Sequence, residues 1–313
     1  MRKLLIFMAL ACVLSYTLYA KGEKMNTLRL IYPQWQGGDV GKMIPELNEK
    51  DSSTGYYLGA ELLEFLAPKD SKTKVAKVPI SLEYPKSAVR ESKNGILNYD
   101  EIVAQSKAAL EILNTHKPDK ILTLGGECSV SIVPFSYLAH KYSGDVAIVW
   151  IDAHKDLNLQ GDSYEGYHAM ALAACFGLID TDGIAKILPA HFSPKDSILV
   201  GVRDFESKKE RCEEIGVKAL SPEESRDSTK LLEWLKSRGK SKVVVHFDLD
   251  VLDPSELIMA VGVVENGLKI AEVVNLINAI NTNYDLVGLS IAEHLPRVAI
   301  KLRNMMRELP LFE

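Results

Sequence analysis

Runs dominated by Val, Ile and Leu recur along the chain between segments of helical periodicity, and nothing else in the sequence constrains its fold as much. The clearest are Lys120–Leu124 (KILTL), Val146–Ile151 (VAIVWI), Ser197–Val202 (SILVGV), Lys242–Phe247 (KVVVHF) and Leu286–Ile291 (LVGLSI). Runs that are apolar almost without alternation belong to strands buried on both faces. Between them, Tyr99–Asn114 puts Ile102, Val103, Ala109, Leu110 and Leu113 on one helical face, and Asn98 with Glu101 has the spacing of a capping box. Ser221–Arg238 and Leu268–Ile280 read as further helices. This alternation predicts an α/β fold with three layers, α/β/α, around a mostly parallel central sheet. Ligands of such sheets bind beyond the carboxyl ends of the strands.

Composition bounds the function classes. The chain has 313 residues, 47% apolar and 25% charged, enough for one large core. A formal charge of −5 lacks the basic balance of a nucleic-acid binder. Cys12, Cys128, Cys175 and Cys212 are scattered and contain no C-x-x-C pair, so no disulfide framework is expected. The first 24 residues stand apart. Met1-Arg2-Lys3 precedes an apolar run from Leu4 to Ala20, followed by Lys21-Gly22-Glu23-Lys24. These are the parts of a secretory signal peptide or, if uncleaved, of a membrane anchor through residues 4–20. The expectation is an exported or anchored, extracytoplasmic protein; the alternative is a cytoplasmic one started at Met25. The leader carries four basic residues and one acidic. Residues 25–313 then form a single domain with 33 basic and 41 acidic residues, net −8.

The strand ends carry the chemistry. Val146–Ile151 runs into Asp152-Ala153-His154-Lys155-Asp156, and in extended chain Asp152, His154 and Asp156 share one face. Lys242–Phe247 runs into Asp248-Leu249-Asp250, where Asp248 and Asp250 again share a face. Buried strand-end carboxylates need a cation, a cap or a reaction to offset their desolvation. Four carboxylates and an imidazole favour hard divalent ions such as Mn²⁺ or Mg²⁺, and a pair of such ions generates a hydroxide nucleophile near neutral pH.

A third strand end, Gly125-Gly126-Glu127-Cys128-Ser129, completes a pattern that resembles the ureohydrolase (arginase/agmatinase) family. The family's signatures read roughly GGDHS, DAHxDxN and SFDxDxxDP; here they are GGECS, DAHKDLN (152–158) and HFDLDVLDP (246–254). The resemblance covers most of residues 25–313. It implies a binuclear manganese centre, hydrolysis of a small guanidino substrate to urea and an amine, and a homo-oligomer, trimer or hexamer. It implies further that Asp152 and Asp248 bridge two metals, that His154 and Asp250 complete one site, and that Asp156 completes the other. His168 corresponds to the family's proton-shuttling histidine, and Glu293 to the carboxylate that binds the guanidinium. Asn158, Ser163 and Asp204 correspond to contacts with the amino-acid end of the substrate.

The first signature departs from the family, with Cys128 where a metal-binding histidine belongs and Glu127 where an aspartate does. A thiolate is soft, which brings Zn²⁺ or Fe²⁺ into contention beside Mn²⁺. Three outcomes are open: Cys128 ligates an altered metal, Glu127 swings in instead, or the first site is weakly held. The competing functions are a family member that binds metal or ligand without catalysis, and amide hydrolysis on a related histone-deacetylase-like fold. The Thr-Pro and paired glycines usual after the third signature are absent from Ser255–Gly267, and Lys155 adds a cation beside the site.

Overall fold

The structure is a computed structural model, and it describes residues 25–69, 71, 73–87, 89–203 and 210–310. The leader, residues 1–24, and Asp204 lie outside the described residues. The strands are β1 (Thr27–Tyr32), β2 (Lys74–Lys77), β3 (Ser92–Lys93), β4 (Ile96–Leu97), β5 (Lys120–Gly125), β6 (Val146–Ile151), β7 (Ser197–Val200), β8 (Lys218–Leu220), β9 (Lys242–Asp248) and β10 (Asp285–Ala292). Eight of them form one sheet in the order β2-β1-β5-β10-β9-β6-β7-β8. Every pairing in it is parallel, and β3 and β4 form a separate small antiparallel hairpin.

The apolar runs are strands for the expected reason. All six residues of β6 are buried, and their side chains divide between two cores. Val146, Ile148 and Trp150 pack on one side with Phe135 and Leu138 from the helix Ile132–Lys141 and with Ile102 and Leu113 from the helix Tyr99–His116. Ala147, Val149 and Ile151 pack on the other with Leu231 and Leu235 from Thr229–Arg238 and Val273, Leu276 and Ile280 from Ile270–Asn283. A period of two through a strand covered on both faces gives this division, and with it the three layers. Among the described residues no helix is long and apolar enough to cross a membrane.

Three local expectations need correction. The helix Tyr99–His116 forms, but Asn98 is left-handed (φ 53°) and its side chain makes no cap. Its Oδ1 instead accepts from Arg90 Nε at 2.7 Å. The segment 221–238 is not one helix: a short turn, Glu223–Ser225, is followed by the helix Thr229–Arg238, whose first N–H is met by Asp227 Oδ1 at 2.8 Å. β7 ends at Val200 rather than Val202, because Gly201 takes φ +91° and turns the chain under Val251.

Candidate metal centre and active site

Four adjacent strands at the middle of the sheet, β5, β10, β9 and β6, end along one edge. β5 delivers Glu127 and Cys128, β10 delivers Glu293, β9 delivers Asp248 and Asp250, and β6 delivers Asp152, His154 and Asp156. All of these but Glu127 and Asp152 line a cavity of ≈ 770 Å³. Cys128, His154, Asp156, Asp248, Asp250, His168 and Glu293 all line it. Asn158 and the exposed Ser163 line it nearer solvent, with Lys155 and Arg211.

Backbone contacts fix the carboxylates. The His154 N–H donates to Asp152 Oδ1 at 2.6 Å, the Ala153 N–H to Asp250 Oδ1 at 3.1 Å, and the Asp250 N–H to Asp248 Oδ1 at 2.7 Å. Trp150 Nε1 donates to Asp152 Oδ2 at 2.9 Å. Arg203 braces the loop beyond: its guanidinium donates to the carbonyls of Asp250 at 2.9 Å and Val264 at 2.7 Å. That ties down the segment Ser255–Gly267, in which Gly262 closes on His154 so tightly that a Cβ would lie 2.4 Å from its Cε1. The missing glycine pair therefore leaves one glycine with a required place. Asp156 (φ 51°) and Glu293 (φ 66°) both sit in the left-handed region, which non-glycine residues seldom enter.

Three groups of donor atoms could hold a divalent cation. In one, Cys128, Asp152, Asp156 and His246 offer atoms within 4.8 Å of one another; in a second, Asp152, His154 and Asp250 do; in a third, Cys128, His168 and Glu293 do. Asp152 belongs to the first two, as a carboxylate shared by two ions would, and Cys128 to the first and third. Crowding disfavours charge on these carboxylates. Burial and then the neighbouring carboxylates Asp250 and Asp152 push the Asp248 carboxyl well above its usual range, and burial with Asp152 does the same to Asp156. Asp152 is raised by burial and by Asp250. Burial lowers the affinity of His154 for a proton, but Asp250, 2.7 Å from its Nδ1, and Asp152 outweigh this and hold the imidazole protonated well above its usual range. Asp156 Oδ2 is buried without a hydrogen-bond partner. Crowded, buried carboxylates, with one oxygen of Asp156 left without a partner, are what divalent ions neutralise, so the residues fit the pair of ions expected from the sequence.

Cys128 is buried, with its Sγ 3.1 Å from Asp248 Oδ2 and 3.3 Å from Glu293 Oε1. Burial, with Asp156 and Glu293 nearby, drives its pKa well up, so only a bound cation would make it a thiolate. Glu127 points elsewhere. Its carboxylate accepts from Gln34 Nε2 (2.7 Å), the Ser129 N–H (2.8 Å) and Ser129 Oγ (2.8 Å), and Gly37 packs against it. With these donors satisfied, Glu127 is a brace of the strand end and does not swing in as a substitute ligand.

Glu293 is held by several donors. His168 Nδ1 lies 3.1 Å and the Cys128 N–H 3.2 Å from Oε1, while the Tyr56 hydroxyl donates to Oε2. Burial lowers the His168 pKa, and the contact with Glu293 more than offsets it, so the ring holds its proton more tightly than usual. On its other side, His168 Nε2 is 2.6 Å from the Tyr164 hydroxyl, which accepts the Asp39 N–H at 2.9 Å. Sequence reasoning missed Tyr56, Tyr164 and His246. Tyr56 has no local signal, being an aromatic in the helix Gly55–Leu66. Tyr164 precedes His168 by four residues in one loop. His246 was in plain view, two residues before Asp248 on one strand face.

The sequence model of the arginase family matches residues 72–306. An arginase of Staphylococcus aureus (strain MRSA252) is 29% identical over 185 residues, 53% of this chain and 58% of that protein. The chain thus matches little more than half the length of such curated relatives. The crystal structure of Entamoeba histolytica arginase in complex with L-ornithine superposes with a TM-score of 0.67 at 20% identity, covering 91% of this chain and 97% of that one. Native arginase from Bacillus caldovelox gives 0.67 at 22%, covering 92% and 100%. At these identities the superpositions establish the fold.

Proposed function

From the premise that this chain belongs to the arginase family, we propose that it is a metal-dependent hydrolase of a guanidino compound, converting L-arginine to L-ornithine and urea or acting on a related guanidino acid or agmatine. The observation that carries this reading is the convergence of Glu293, His168, Cys128, His154, Asp156, Asp248 and Asp250 on one cavity. Asp152, Asp156, Asp248, Asp250, His154 and Cys128 would hold two divalent ions, with Mn²⁺ expected from the family and Zn²⁺ or Fe²⁺ brought in by the sulfur. When bound, the ions supply an activated water and offset the charge of the carboxylates.

The remaining steps belong to the protein's own groups. Glu293 is preset by Tyr56, His168 and the Cys128 N–H, so its carboxylate meets a guanidinium without searching for an orientation. A planar cation that engages it competes with the neutral donors Tyr56 and the Cys128 N–H for the carboxylate. His168 keeps a proton beside Glu293, placed to be given to the departing amine as the C–N bond breaks. The Tyr164 hydroxyl behind it is the route by which that proton is replaced. Asn158 and Ser163 face the end of the substrate that carries the amine, and we extend the same role to Asp204. A small guanidino molecule fits the cavity with room to spare. As further proposals, the leader takes the protein out of the cytoplasm, and the chain assembles as a trimer or hexamer.

The test is urea release from arginine, agmatine and other guanidino acids, each with Mn²⁺, Zn²⁺ and Fe²⁺ supplied to metal-stripped protein. Turnover of one member of the panel with one metal is expected. Two bound ions with no urea from any substrate would sink the hydrolase reading in favour of a binding protein.

A further inference from the structure

We infer that His246 is a metal ligand, and that Cys128, Asp152, Asp156 and His246 form one site suited to a zinc-class ion. This rests on the reading that the cluster holds metal, not on the reading that the protein hydrolyses anything.

The geometry of His246 has one economical explanation. The ring is fully buried and stacked on Trp150, with centroids 3.7 Å apart and planes 17° from parallel, so it cannot turn. Its Nδ1 lies 2.7 Å from Ser131 Oγ. Its Nε2 has no hydrogen-bond partner, and the Asp152 carboxylate, 4.0 Å away, is too distant for one. If Nε2 carried a proton, a buried donor would be wasted beside a carboxylate. If it carries the lone pair, that lone pair faces the Asp152 carboxylate across a gap of 4.0 Å. A cation in the gap resolves both. The Ser131 hydroxyl then accepts the Nδ1 proton and fixes the tautomer that leaves Nε2 free to ligate, as the outer partners of metal-bound histidines do.

The other three donors complete the site. One atom from each of Cys128, Asp152, Asp156 and His246 lies within 4.8 Å of the rest, and all four residues are buried. Ligand bonds of about 2.0 to 2.3 Å to a common ion bring donor atoms to separations of that order after a small closure. Asp156 Oδ2 is a second buried atom without a partner in the same group. Cys128 and Ser131 belong to one short turn, Cys128–Ser131, so a single element sets both the sulfur and the brace behind the imidazole. The family signatures put histidine where Cys128 stands and serine where His246 stands. The imidazole absent from the first strand end is thus supplied from β9. One sulfur, one imidazole and two carboxylates prefer Zn²⁺ or Fe²⁺ to Mn²⁺.

The test uses the full chain, stripped with chelator and titrated with Co²⁺ and, separately, Zn²⁺. The first equivalent of Co²⁺ is expected to give a sulfur-to-cobalt charge-transfer band, which Cys128→Ser abolishes. His246→Gln is expected to weaken binding of that equivalent by at least about 100-fold, beyond what loss of an outer partner does. A smaller loss with an unchanged spectrum overturns the inference. If His246→Gln does not fold, zinc X-ray absorption of protein carrying both His154→Gln and His168→Gln decides: retained imidazole scattering beside sulfur supports His246, and its loss overturns the assignment. A protein that passes these tests and releases no urea keeps the site and loses the hydrolase reading.

Discussion

The two ends of the metal cluster differ in depth and in chemistry. At one end His246 is wholly buried and stacked on Trp150, and it meets Cys128 and Asp156, which also line the cavity. At the other, His154 and Asp250 face the cavity, and the His154 side chain keeps 32% of its surface exposed. The buried end brings sulfur and a neutral, rigid imidazole; burial, partly offset by Asp152, lowers that ring's pKa to about 4. The other end brings a proton-hungry imidazole between two carboxylates. One family scaffold thus supports a sulfur-bearing site and an oxygen-rich one joined by Asp152. The difference teaches that replacing a ligand type need not empty a site when a neighbouring strand can compensate.

The sharpest way to break the comparison is Asp152→Ala, because Asp152 serves both ends. Both ions should be lost and urea release should fall by about 10³-fold, reflecting several kcal/mol of lost charge stabilisation. Elemental analysis that still finds one ion per chain would show the ends to be independent. Next in size, Glu293→Gln or His168→Gln should cut kcat/KM by about 10²-fold while metal content stays constant, since neither side chain is needed to hold the ions. A parallel loss of metal would move these residues into the cluster. Cys128→His should shift the metal preference, raising manganese-supported activity by roughly tenfold at the expense of zinc. Unchanged metal content and turnover would remove Cys128 from the ligand set.

The smallest effect is a slope of stability with pH. Asp152, Asp156, Asp248 and His154 all have raised pKa values in the folded protein, so each favours folding while protonated and loses that contribution as pH climbs through the raised value. His246, with its lowered pKa, acts oppositely but only below the ordinary imidazole value of 6.5. Above pH 6.5, therefore, the melting temperature of metal-free protein should fall as pH rises, and saturating divalent ion should remove the slope. Thermal melts from pH 6.5 to 9 with and without metal check this; a flat metal-free profile would contradict the crowding of carboxylates at the buried end.

What the sequence disclosed follows a physical rule. Apolar runs without alternation predicted β5, β6, β9 and β10 to within two residues, because burial on both faces leaves no other pattern. The aspartates at their ends stood out because the same two-residue period placed them on one face. The period that aligns Asp248 with Asp250 aligns His246 as well, but histidine in a core strand is ordinary when its ring is satisfied, and only three dimensions reveal the unpaired Nε2. Tyr56 lies 237 residues from the Glu293 carboxylate it contacts, a separation no local pattern spans. Asn98 had the spacing of a cap, but Arg90 competes for its side chain and wins. Cys128 could be recognised as a substitution, while its compensation by a residue on another strand depended on the order of strands in the sheet.

The backbone at Asp156 and Glu293 bears on how such a protein could decay. Each residue holds a left-handed conformation that costs a side-chain-bearing residue about 1 to 2 kcal/mol, and glycine would relieve most of it. Were the site idle, selection for folding alone would favour glycine at these two positions before it touched the unstrained Asp248. A lineage that had abandoned its chemistry would show erosion there first. In this chain both places still carry their carboxylates.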